Sequence, residues 1–90
     1  MKEPCSKWLN LIRSLGLATP DQTEVLLQDG TWTADALYKS ARTLVLLSEP
    51  SSELRAYASD RAYEVIYFSA DESSWRETLA KHSEVFGSVA

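Results

Sequence analysis

Apolar side chains recur with two different periods along this chain, and the switches between them mark out its elements. Trp8, Leu11, Ile12 and Leu15 stand at i, i+3, i+4 and i+7, which is one face of a helix. The spacing predicts a helix over residues 5–15, closed by Gly16, whose freedom at positive φ suits a C-cap. Leu17 to Gln22 contains Pro20 and reads as a connection. Val25, Leu26 and Leu27 predict a first strand over residues 23–28, and Asp29-Gly30 is a hairpin turn signal. A second strand is expected over residues 31–38. Regular alternation there directs Trp32, Ala34, Ala36 and Tyr38 to one face, and Thr33, Asp35 and Leu37 to the other.

Lys39 to Arg42 is short and polar enough for another tight turn, and Thr43 to Leu47 is apolar on both faces, as a central strand requires. Pro50 ends that strand because it has no N–H for the ladder. Ser51 or Ser52 is placed to cap a helix running to about Arg61, with Leu54, Tyr57 and Ala58 as its buried stripe. Tyr63 to Phe68 is aromatic and β-branched and predicts a fourth strand. After a polar loop over Ser69–Ser73, Ser74 and Glu77 have capping-box spacing. Trp75, Leu79, His82 and Phe86 line a last helix that Gly87 stops. The expected order is α-β-β-β-α-β-α. Three strands joined by tight turns make an antiparallel meander, and the fourth, arriving through a helix, lies parallel to the third. The fold class is therefore α/β (α+β), a four-stranded mixed sheet with helices packed on it.

Ninety residues suffice for one domain with a modest core, and the expectation is a single domain over residues 1–90, either freestanding or the C-terminal part of a larger protein. No apolar run approaches the roughly 18 residues of a membrane span. The opening MKEPCSKWLN lacks the apolar middle of a signal peptide, so a cytoplasmic site is expected. Cys5 is the one cysteine and has no internal disulfide partner. The net charge is −4, with Lys and Arg scattered, which argues against a domain that grips phosphates unaided. His82 has no second ligand at metal spacing and reads as structural or as a partner contact. Tyr57, Tyr63, Tyr67 and Trp75 lack interleaved basic residues and read as core rather than as a stacking platform for single strands.

Five stretches taken in order carry a resemblance to a known family. They are a helix ending in Gly16-Leu17 followed by Pro20, the Asp35-Ala36-Leu37-Tyr38 strand and the apolar Thr43–Leu47 strand. Ala62-Tyr63-Glu64-Val65-Ile66-Tyr67-Phe68 and the closing Trp75 to Val85-Phe86-Gly87 complete the set. In this order the chain resembles the core of restriction-endonuclease-like nucleases, in the compact form related to very-short-patch repair endonucleases. Such domains recur at the C-terminus of bacterial anti-phage defence helicases. The resemblance implies a restriction-endonuclease-like core and a role in bacterial defence or DNA processing.

The resemblance also implies where chemistry would sit. These nucleases place an Asp on the second strand and an Asp or Glu on the third, with a Lys or other polar residue two positions on. The acids hold Mg²⁺, a hard cation that takes carboxylate oxygens and activates water. Asp35 matches the first acid. Ungapped continuation puts Ser48 at the second, with Glu49 one residue late, and a one-residue slip in a strand reverses the face. Pro50-Ser51 follows, with no Lys within reach. The expectation is a degenerate copy without catalytic residues, metal or cofactor. It would dock a protein partner or the parent helicase domains, or sense DNA, with Arg55, Arg61, Arg76 and Lys81 as contact candidates. One alternative is an active Mg²⁺-dependent DNA endonuclease using Asp35 and Glu49. A second is a small acidic inhibitor or immunity protein, gaining on-rate against a basic target.

Overall fold

A computed structural model describes residues 3–69 and 71–87, with side chains from Ser6 onward; Cys5 lies outside the described side chains. The elements are helix α1 (Glu3–Ser14), strands β1 (Gln22–Leu27), β2 (Trp32–Tyr38) and β3 (Thr43–Leu46), helix α2 (Ser52–Asp60) and strand β4 (Glu64–Tyr67). A 3-10 turn (Glu72–Ser74) and helices α3 (Trp75–Lys81) and α4 (Ser83–Phe86) follow. The sheet order is β1-β2-β3-β4, antiparallel between the first three strands and parallel between β3 and β4. This is a compact α+β domain with a four-stranded mixed sheet. Among the described residues no helix is long and apolar enough to cross a membrane.

Local signals set most element ends. Gly16, at φ 69, closes α1 with the paired bonds Leu17 N to Ile12 O (3.0 Å) and Gly16 N to Arg13 O (3.1 Å). That pattern satisfies two orphan carbonyls and brings Leu17 back onto Ile12 in the core. Ser51 caps α2, its Oγ accepting from Leu54 N at 3.1 Å. At the last helix the structure departs from expectation. Ser74 makes no side-chain capping bond there; Asp71 instead accepts from Ser73 N and caps the preceding 3-10 turn. The helix itself breaks at His82, whose ψ of 42 leaves the helical region, so that α4 can turn and seat Phe86 in the core.

The sheet separates two apolar layers. On one face Trp8, Ile12, Ala36, Tyr38, Val45, Ile66, Phe68, Trp75, Leu79 and Phe86 pack beneath α1, α3 and α4. Phe86 ties this layer together, with ring centroids 5.2 Å from Tyr38 and 5.8 Å from Phe68, and its carbonyl accepts from Ala18 N at 2.8 Å. On the other face Leu54 and Ala58 of α2 pack against Leu27, Ala34, Leu37, Leu44 and Leu46 of the sheet.

The expected common face of Trp32, Ala34, Ala36 and Tyr38 does not form. Trp32 and Ala34 face α2, whereas Ala36 and Tyr38 face α1 and α3. The cause is a break in the pleat. The β1–β2 register pairs Thr23 with Ala36 and Val25 with Ala34, but the intervening Glu24–Asp35 pair is missing, and Glu24 has φ 52. The register is unchanged on either side of the gap, so no residue is inserted; the ladder is interrupted opposite a left-handed residue of β1. The hairpin beyond that point turns its apolar side to α2.

Tyr38 carries a testable consequence of burial. Its hydroxyl donates to Ala18 O at 2.8 Å, and the side chain is nearly inaccessible. Burial first, and the negative charge of Asp21 second, push its phenol well above the ordinary value of 10.0. The folded chain keeps this proton where the unfolded chain has lost it. The stabilisation is whole below the unfolded pKa and is lost as pH rises beyond it. Urea midpoints measured at about pH 8 and about pH 11 are expected to fall more for the native chain than for Tyr38→Phe. Equal falls would show that Tyr38 does not drive alkaline unfolding.

Candidate functional site

The two acids named by the sequence sit at the open end of the β2–β3 pair. That ladder runs Tyr38–Thr43, Leu37–Leu44, Ala36–Val45 and stops before Asp35. The half-buried Asp35 carboxylate takes over where backbone pairing ends: its Oδ2 accepts from Leu47 N at 2.8 Å. A buried or half-buried N–H left unpaired is costly, so the side chain completes the sheet edge that its own backbone has vacated.

Strand β3 ends at Leu46, one residue earlier than the pattern suggests, and the chain bends at Leu47 and Ser48. Ser48 and Glu49 therefore lie beyond the strand, and strict alternation does not govern where they point. Glu49 is exposed and lines a groove of about 380 Å³ on the α2 side, together with Trp32, Thr33, Leu46, Ser48, Pro50 and Leu54. Asp35 is not among the residues lining that groove. Among the described residues, no group of three or more His, Cys, Asp or Glu side chains is placed to hold a metal ion.

The four basic candidates divide between the two sides of the sheet. Arg55 belongs to α2 and Arg61 is its C-cap, whereas Arg76 and Lys81 belong to α3, so the two pairs sit on elements packed on opposite faces of the sheet. Arg61 lies over the Tyr57 ring at 3.7 Å from its centroid, a cation–π contact, and Lys81 pairs with Glu77 at 3.6 Å one turn away. Both remain exposed. His82 is 3.6 Å from Glu84 through Nδ1 and sits at the helix break.

The aromatic residues grouped by sequence are also separated. Trp75 is in the α1–α3 core, with its indole N–H donating to Ser69 O at 2.8 Å. Tyr57, on α2, and Tyr63 pack against the α2-side core, and Tyr67 is partly exposed on the edge strand β4. Sequence reasoning missed Trp32 as a surface feature by assigning it to the same face as Tyr38. It stands half-buried in the lining of the groove, with ring centroids 5.5 Å from Tyr57 at an interplanar angle of 57°. The Tyr57 hydroxyl accepts from Gln28 N at 3.2 Å and so fastens the hairpin tip to α2.

No protein-family model, curated protein or solved structure matches the chain.

Proposed function

We propose that this chain is a non-catalytic interaction module: a degenerate restriction-endonuclease-like domain that docks a protein in a bacterial defence or DNA-processing assembly. The observation that carries the reading is the bond from Leu47 N to the Asp35 carboxylate. The acid that would hold Mg²⁺ serves instead to finish the β2–β3 edge. Ser48 and Glu49 add to this, because neither belongs to strand β3, where a second metal-binding acid is required. The resemblance of element order supports the fold family, and the split of the basic residues between two faces favours protein docking over a DNA-reading surface.

The test is incubation of supercoiled plasmid with the protein and Mg²⁺ or Mn²⁺. The expected result is no nicking or linearisation above background, unchanged by Asp35→Asn or Glu49→Gln. Metal-dependent cleavage that Asp35→Asn abolishes would overturn the reading in favour of an active endonuclease.

A further inference from the structure

The groove beside α2 has a chemistry of its own. It continues past Trp32 into a wider depression of about 670 Å³ between the hairpin tip and α2. Thr31 and Trp32 line both parts and so join them. The floor is apolar and aromatic, from Leu54, Trp32 and Tyr57, and the rim carries three carboxylates, Glu49, Glu53 and Asp60. None of these three makes an ion pair or side-chain hydrogen bond among the described residues. Arg61 is the basic residue of the lining, and its guanidinium is stacked on Tyr57.

We propose that this groove binds an extended, Lys- and Arg-rich segment of a partner protein. The occupant follows from two complementary features. Three acids against one engaged cation attract positive charge, and they disfavour a phosphate backbone at the same place. Trp32 offers an indole to a guanidinium or ammonium, and the rings lining the groove accept the aliphatic stems of those side chains. A bare acidic patch would attract any cation. An aromatic shelf with carboxylates spaced along it favours a chain that alternates stem and charge.

This inference deepens the docking reading and rests on it, but its failure is separately visible. The probe is a synthetic nona-arginine peptide titrated into the isotopically labelled whole chain, followed by amide and indole chemical shifts. Saturable shifts are expected at the Trp32 indole and at residues 48–54, weakening as salt is raised. The triple variant Glu49→Gln, Glu53→Gln, Asp60→Asn is expected to weaken binding by about tenfold, in line with three exposed charge pairs. A charge-matched variant on the other side of the sheet, Glu72→Gln, Glu77→Gln, Glu84→Gln, is expected to leave it unchanged. Trp32→Ala, checked for native circular dichroism, is expected to weaken binding with no change in net charge. Equal losses from both triple variants would reduce the effect to net charge and overturn the proposal, as would an absence of localised shifts. DNA cleavage in the plasmid assay would overturn the docking reading instead, whatever the peptide does.

Discussion

Trp8→Ala is expected to cost about 3–5 kcal/mol, the range for emptying a large aromatic site in a well-packed core. Trp8 is fully buried, with its ring 5.5 Å from Phe68 and 6.1 Å from Phe86, both in edge-on contact. A domain of this size has roughly 5–15 kcal/mol of stability in all, so the loss takes a fifth or more of it and should lower the urea midpoint steeply. Trp8→Phe is expected to behave very differently. The Trp8 indole N–H is buried with no hydrogen-bond partner among the described residues. Removing it recovers about 1–3 kcal/mol of desolvation cost, against a similar loss from the smaller ring's poorer fill. The net change should stay within about 1 kcal/mol of the native chain. Urea denaturation followed by far-ultraviolet circular dichroism distinguishes the cases. A Trp8→Phe loss as large as that of Trp8→Ala would show that the N–H is satisfied or that shape alone governs the site.

Asp35→Ala has a sign that separates the two functional readings. If the carboxylate completes the sheet edge, its removal strands the Leu47 N–H and should destabilise the chain by about 1–3 kcal/mol. Asp35→Asn should lose less, because the amide oxygen still accepts. Active-site acids behave in the opposite way: they are held at a cost in stability, and neutralising one in the absence of metal commonly stabilises. The measurement is the urea midpoint in EDTA for the three chains. A midpoint equal to or above the native one for Asp35→Ala would remove the main support for a non-catalytic scaffold.

Much of the architecture was legible in the chain because the signals are local. The Trp8–Leu15 stripe, the left-handed demand met by Gly16, the Asp29-Gly30 turn and the Ser51 cap each depend on neighbours within a few residues. The expected four-stranded mixed sheet with helices packed on it follows from their order, and it forms. The last helix was legible only in part. Its apolar spacing is real, but the break at His82 accompanies the seating of Phe86 against the Tyr38 and Phe68 rings on the same face of the sheet.

The candidate site was less legible. The sequence singled out Asp35 and Glu49 as the acids to examine, but the argument from alternation presumed an unbroken pleat through residue 35 and a strand reaching residue 49. Neither holds, since Ala34 and Ala36 fall in different cores where the β1–β2 ladder is interrupted opposite Glu24 at φ 52, and the bend at Leu47 ends the second. No local rule places a non-glycine residue in the left-handed region of a strand; it persists only because surrounding packing outweighs its strain. Trp32 lies on the α2 side, where it meets Tyr57 and shares a groove with Glu49, Glu53 and Asp60.

What the sequence determined by itself is the succession of elements as far as β4, their approximate ends and the supply of two apolar faces per central strand, because backbone preference and side-chain period act over a turn or a strand length. Which face each half of the hairpin presents, what the Asp35 carboxylate holds, and the groove between hairpin tip and α2 were decided only in three dimensions. Each depends on groups distant along the chain competing for the same buried space and the same hydrogen bonds.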